Sequence, residues 1–207
     1  VNPQAKVIFL PLIGGFVGAD TTGVILATGM GSSDKLAMAI DIGTNGEMVL
    51  GNSEEMLACS TAAGPALEGA GIKFGVRAAS GAIEDVEISK EGISLKIIGD
   101  KKPVGICGSG LIAATAEILK AGLMHSSGRL KTRDEFIKSG GDPKLGESLV
   151  EVDSQRRVIL SPAEESYGNK EIYLSQDDIR AVQLAKGAIY TGVSILIEEK
   201  GIKGEEL

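Results

Sequence analysis

An α/β layered fold, with a mixed sheet flanked by helices, is the fold class this sequence predicts, and three observations carry it. Apolar residues 36–40 and 48–50 flank the turn Gly43-Thr44-Asn45-Gly46, and Asn-Gly between two apolar runs is a strong short-range hairpin signal. Residues 83–88 and 93–98 alternate apolar and polar side chains with a period of two, as half-exposed strands do. Helical periodicity then appears at about 109–121 and again from Asp177 onwards. Strands that lead and then alternate with helices argue for a layered α/β domain rather than a sandwich.

Taken in order, residues 10–13 read as the end of a strand, Gly14-Gly15-Phe16-Val17-Gly18 as a glycine turn, and residues 20–28 as a short helix stopped by Gly29. The hairpin of residues 36–50 follows a loop at 31–34, and residues 56–60 continue as a third strand. Residues 64–71 open a small-residue helix or a tight loop. The two period-two segments are joined by the turn Lys90-Glu91-Gly92. Cys107-Gly108-Ser109-Gly110 precedes the helix of about 109–121, and Gly122 is its stop. Residues 126–173 are polar and carry Gly and Pro, with apolar pieces at 158–160 and 172–174; they read as a peripheral insertion holding a small hairpin. Ser175 is the expected cap of the last helix, with Asp177 and Asp178 at the positive end of its dipole. Its apolar stripe is Ile179, Val182, Leu184, Ala185, Ala188, Ile189, Val193 and Leu196, closed by Gly201. A hairpin-led sheet with helices added after it is the pattern of a ribonuclease-H-like lobe.

With 207 residues, 43% apolar and 24% charged, the chain is globular and long enough to bury a core, as one large domain or two small lobes. A net charge of −7 without a Lys/Arg cluster argues against nucleic acid as a partner. No apolar run reaches the roughly 20 residues of a membrane helix. Two cysteines, Cys59 and Cys107, and one histidine, His125, cannot assemble an iron–sulfur or zinc site. Both cysteines are expected as buried thiols in a reducing, cytoplasmic compartment. A start at Val1 and an end on Glu205-Glu206-Leu207 read as a piece of something longer.

The candidate chemistry centres on Asp41, which ends an apolar strand just before the glycine turn. Backbone N–H groups in such a turn form an anion site, and an adjacent carboxylate suits Mg²⁺ held through water. An ordinary hairpin with a solvated Asp41 fits the same residues. Gly14 and Gly15 allow close backbone approach to a ligand, and Asp20 stands where a helix begins, either as its cap or facing a cleft. The small, hydroxyl-rich run of residues 60–69 lines a nucleotide cleft, with Glu68 as a polar contact, or else packs helices closely. Gly108-Ser109-Gly110 is a plain cap turn or an anion contact. Cys107, before a helix, is inert or, with a stabilised thiolate, reactive.

These segments together resemble the acetate-and-sugar-kinase/Hsp70/actin superfamily. Residues 20–29 resemble its first connecting helix, with Asp20 where the Hsp70 branch has an acidic residue facing the nucleotide. Asp41-Ile42-Gly43-Thr44-Asn45-Gly46 resembles the second phosphate motif, Thr44 and Asn45 standing where two glycines are usual. Within the superfamily, residues 12–21, 40–47, 59–70, 106–111 and 182–189 are strongly similar to the ATP-dependent reductive activators of corrinoid proteins. That resemblance implies a single partial ATPase lobe over 1–207, of actin/Hsp70 type. It implies use of ATP and Mg to drive reduction of cob(II)amide to cob(I)amide on a methyltransferase's corrinoid protein. Catalytic and metal roles fall on Asp41 and Asp20, and nucleotide contacts on Gly14, Gly15, Gly43, Thr44, Asn45, Gly46 and Glu68. The implied partners are the corrinoid protein and, in the same polypeptide, an upstream ATPase lobe and an iron–sulfur domain; a second copy is a further candidate. The rival readings are an activator of a radical dehydratase or other redox enzyme, a small-molecule kinase, and a non-catalytic docking or dimerisation module.

Overall fold

The computed structural model describes residues 2–99 and 101–207, with Glu206 described by its backbone alone. The elements in chain order are α1 (Ala19–Thr28), β1 (Ala37–Ile42), β2 (Gly46–Gly51), β3 (Met56–Thr61), β4 (Ala82–Ser89) and β5 (Gly92–Ile97). They continue with β6 (Gly105–Ile106), α2 (Gly108–Lys120), α3 (Arg133–Lys138), β7 (Leu149–Val152), β8 (Gln155–Ser161), β9 (Ile172–Ser175) and α4 (Gln176–Lys200). They form two compact units. The first comprises residues up to Ala63 together with Gly187–Leu207, and the second Gly64–Lys186.

In the first unit β1, β2 and β3 make an antiparallel meander. One face is apolar and packs on the end of α4: Met48, Leu50 and Leu196 are buried, with Met38, Leu57, Cys59, Ile189 and Val193 against them. The helix comes close because Gly192 has no side chain; a Cβ there would stand 2.8 Å from Met48 Sδ and from Thr61 Cγ2. Helix α1 lies against β1 and the central strand β2, on the face that α4 leaves open, where Val49 is buried. Gly29, in the left-handed conformation at φ 72°, stops α1 as its sequence position predicts.

Residues 10–13 do not form the expected strand end. Ile13 N–H instead donates to Val17 O at 3.2 Å, closing a tight turn around Gly14–Val17. The hairpin also differs in its connection. Ile42 pairs with Gly46, so the loop is Gly43-Thr44-Asn45, and none of these residues is left-handed. A two-residue Asn-Gly turn would need two positive φ values. Gly46 packs closely: a Cβ there would lie 3.1 Å from Thr61 Oγ1 and 3.4 Å from Ile189 Cγ1.

In the second unit β4 pairs antiparallel with β5 and parallel with β6, so the sheet is mixed. Helix α2 lies on β4, where Gly110 brings its backbone against the Ile83 carbonyl. A second antiparallel meander, β7-β8-β9, contains the hairpin expected at 158–160 and 172–174, with Val158 opposite Leu174. Residues 126–173, expected as a peripheral insertion, contribute Leu130, Phe136, Leu145, Leu149, Val158 and Leu160 to the same core as Ile83, Ile106, Leu111, Ile118 and Ile179. Within that stretch stands α3, which periodicity missed. Thr132 caps it in a reciprocal box with Glu135, Thr132 Oγ1 accepting from Glu135 N at 3.1 Å and Thr132 N–H donating to Glu135 Oε2 at 2.9 Å.

Ser175 caps α4 as expected, its Oγ accepting from Asp178 N at 3.2 Å. Asp178 does more than face the dipole: it is buried and accepts from Ser175 N–H, Ser175 Oγ–H and Lys73 N–H at 2.8, 2.7 and 2.9 Å. One member of the expected stripe is misplaced, since Leu184 is 74% exposed. At about 100° per residue it lies roughly a quarter turn from buried Ala185. Among the described residues no helix is long and apolar enough to cross a membrane.

Candidate functional site

The first unit holds Asp41, Asp20, Gly14, Gly15, Gly43, Thr44, Asn45 and Gly46; Glu68 belongs to the second. Strand register builds the core of the arrangement. Asp41 is opposite Glu47, and Glu47 is opposite Ser60. Directly opposed residues of an antiparallel pair stand on one face, about 5 Å apart at Cβ. Two carboxylates therefore sit side by side at the turn end of the sheet, on the face away from α4. Ser60 Oγ–H donates to Glu47 Oε1 at 3.1 Å, and Asp41 is exposed. Adjacent like charges destabilise a sheet unless a cation or donor joins them.

Asp20 is the second residue of α1, and the cap is Gly18; the expectation of Asp20 as a cap is corrected. Its Oδ1 accepts from Thr21 N–H at 2.9 Å, and its side chain is exposed. Since α1 lies on the sheet face that carries Asp41, both aspartates belong to one side of the same unit. Gly14 and Gly15 face open space, with nothing within 4 Å of a Cβ placed on either. In the loop, Gly43 N–H already donates to Asn45 O at 2.9 Å. On the opposite face, packed against α4, half-buried Cys59 donates to Gly192 O at 3.7 Å, and burial pushes its thiol pKa up.

Glu68 ends a single 3-10 turn, Pro65–Glu68, held between Gly64, at φ 79°, and left-handed Gly69. It lines a cavity of about 730 Å³ with Arg77, Cys107, Gly108 and Ser109. The start of α2 is drawn to this turn because Gly108 has no Cβ to strike the Leu67 carbonyl. No side chain caps α2; Ser109 Oγ–H donates instead to Glu84 O at 2.9 Å. The uncapped start of α2 and the Arg77 guanidinium line this cavity together with the Glu68 carboxylate. Cys107 is buried, and its thiol donates to Ile83 O at 3.2 Å, which favours the inert reading over the reactive one.

Glu47 is the residue that sequence reasoning passed over. A three-residue loop centred on Thr44 pairs Asp41 with Glu47, a register that the turn signal at Gly43–Gly46 did not fix. Among the described residues there is no group of three or more His, Cys, Asp or Glu side chains placed to hold a metal ion.

Comparison with known proteins gives three kinds of match. A family model described as the C-terminal domain of RACo, the ASKHA domain, matches residues 35–207. The corrinoid activation enzyme RamQ of Eubacterium limosum is 44% identical over 207 residues, covering 100% of this chain and 34% of that protein. The [Co(II) methylated amine-specific corrinoid protein] reductase of Methanosarcina barkeri is 31% identical over 226 residues, covering 99% of this chain and 36% of that one. Among solved structures, a reductive activator for corrinoid, iron–sulfur protein aligns with a TM-score of 0.86 at 38% identity, over 96% of this chain and 30% of the other. The chain thus spans about a third of the length of the relatives it matches.

Proposed function

Because the chain belongs to the family of RACo C-terminal ASKHA domains, we propose that it is the ATP-handling part of a longer reductive activator of corrinoid proteins. The observation that carries this is the end-to-end match to a corrinoid activation enzyme at 44% identity. In this reading the parent polypeptide uses ATP to make an otherwise uphill one-electron reduction of corrinoid cobalt proceed. The electron carrier is an iron–sulfur cluster elsewhere in the parent. Residues of this chain do not suit a cluster, since its two cysteines are committed elsewhere, the buried Cys107 thiol donating to Ile83 O and the half-buried Cys59 thiol to Gly192 O.

Magnesium suits the first unit. The Asp41–Glu47 pair offers hard oxygen donors at a turn, the set chosen by a small cation that keeps its waters, and Asp20 is assigned as a further outer-sphere acceptor. Bound there with ATP, the ion supplies neutralisation of phosphate charge. Asp41 orients the attacking water through its carboxylate, which register places at the strand end. Gly14, Gly15, Gly43, Thr44, Asn45 and Gly46 contact the phosphates. Glu68 is assigned a polar contact to the nucleotide through the cavity it lines. Positioning and charge stabilisation carry most of the catalysis in phosphoryl transfer. ATP hydrolysis couples to reduction through a conformational equilibrium that nucleotide biases.

The test is steady-state ATP hydrolysis by the parent polypeptide with Asp41→Asn. Loss of an electrostatic or water-orienting group costs about 100-fold or more in kcat, with little change in KM. Unchanged turnover would remove Asp41 from the chemistry.

A further inference from the structure

The first unit carries an apolar run most of whose side chains no described residue covers; the exception is Leu10, 38% exposed and set against α1 beside Gly23. From Ala5 to Leu12 the backbone is neither helix nor paired strand, yet its sequence is almost wholly apolar. Val7, Ile8 and Phe9 are 78%, 83% and 87% exposed, and Leu12 71%. Among the described residues, no amide from Lys6 to Leu12 donates a hydrogen bond within the chain. The far end of the run is anchored. Pro11 O accepts from Thr22 Oγ1 of α1 at 2.8 Å, and the turn at Gly14–Val17 follows directly.

We propose that residues 7–10 form an inner strand of a sheet whose other strands come from the part of the parent polypeptide outside residues 1–207. The proposal rests on the reading of the chain as a piece of a longer activator. Side chains of a strand alternate between its faces, so Val7 and Phe9 would point one way, Ile8 and Leu10 the other. Apolar residues on both faces mark a strand covered on both sides, which inner strands of helix-flanked sheets are. Pro11, lacking an N–H, stands where such a ladder would end. The comparisons point to the same occupant. The family model of the C-terminal domain begins only at residue 35, while RamQ matches this chain over its whole length and extends over roughly twice as many further residues. The run therefore belongs to the relatives' shared sequence but lies outside the domain that the model describes. A second copy fits less well, because two bare strands paired edge to edge would leave both apolar faces uncovered.

Amide hydrogen exchange, read residue by residue without nucleotide or corrinoid protein, tests this. In the parent polypeptide the amides of residues 7–10 should exchange at least about 100-fold more slowly than in an unstructured chain. In the chain 1–207 alone they should exchange at close to the unstructured rate. Unprotected amides in the parent would overturn the proposal. So would protection in chain 1–207 alone, whether as a monomer or as a concentration-dependent dimer. The measurement does not involve activity, so a parent that proved not to be a corrinoid activator would still report on the strand.

Discussion

Gly110→Ala in α2 and Gly187→Ala in α4 put the same methyl group on two helices, and the structure predicts opposite signs. At Gly187 nothing lies within 4 Å of the new Cβ. The substitution there should stabilise by up to about 1 kcal/mol, the helix-propensity difference between Gly and Ala. At Gly110 the Cβ would collide with the Ile83 carbonyl oxygen and come within 3.3 Å of Ile106 Cγ2. That carbonyl cannot yield cheaply. Ile83 is fully buried in β4, and its oxygen already accepts from Cys107 N–H at 3.1 Å and Cys107 Sγ at 3.2 Å. Overpacking of this kind costs about 1–3 kcal/mol, here taken at the upper end because the obstacle is backbone. Setting a propensity gain of at most about 1 kcal/mol against it leaves a net loss of about 2 kcal/mol. With a urea m-value of about 2 kcal/mol/M, the midpoint followed by far-UV circular dichroism should fall by about 1 M for Gly110→Ala. It should rise by up to about 0.5 M for Gly187→Ala. A midpoint that rises for Gly110→Ala as it does for Gly187→Ala would refute the close contact of α2 with β4.

Glu135 provides a pH signature. Its hydrogen bonds from the Arg129 guanidinium and the Thr132 amide hold its carboxyl pKa down to about 2, against an ordinary 4.5. A lowered folded-state value means that the stabilisation is complete above about pH 4.5 and is lost as pH falls towards 2. Glu135→Gln keeps a side chain able to complete the cap; its stability deficit in urea melts should be present at pH 6 and vanish near pH 2. Asp178→Ala should cost about 3 kcal/mol, because buried Ser175 loses the acceptor of its N–H and hydroxyl and Lys73 the acceptor of its amide. The same urea melts measure it, and a loss below about 1 kcal/mol would show that water replaces the carboxylate.

Much of the fold was legible because local signals and tertiary demands agreed. Gly29 ends α1, the apolar runs around Gly43–Gly46 pair, and Ser175 caps α4, each through chemistry contained within a few residues. The failures lie where distant contacts decide. Gly43–Gly46 reads as a turn, but Gly46 belongs to β2, paired with Ile42 and close to Thr61 and Ile189, so that Glu47 stands opposite Asp41. Helix α3 has only six residues, too few for periodicity; the Thr132–Glu135 spacing was its one local signal. The two-residue strand β6 exists only through its parallel pairing with β4. Of the candidate site, Asp41 and Asp20 were singled out from the sequence as candidates. Their shared face was not, because it follows from strand parity and from which side α1 covers.

The most direct test of the central claim follows corrinoid cobalt itself. Parent polypeptide containing these residues is mixed with its corrinoid protein in the Co(II) state and a low-potential electron donor, and the visible spectrum is recorded with and without ATP. Conversion to Co(I) only when ATP is present is the expected result. Reduction at the same rate without nucleotide would contradict an ATP-handling role for this chain.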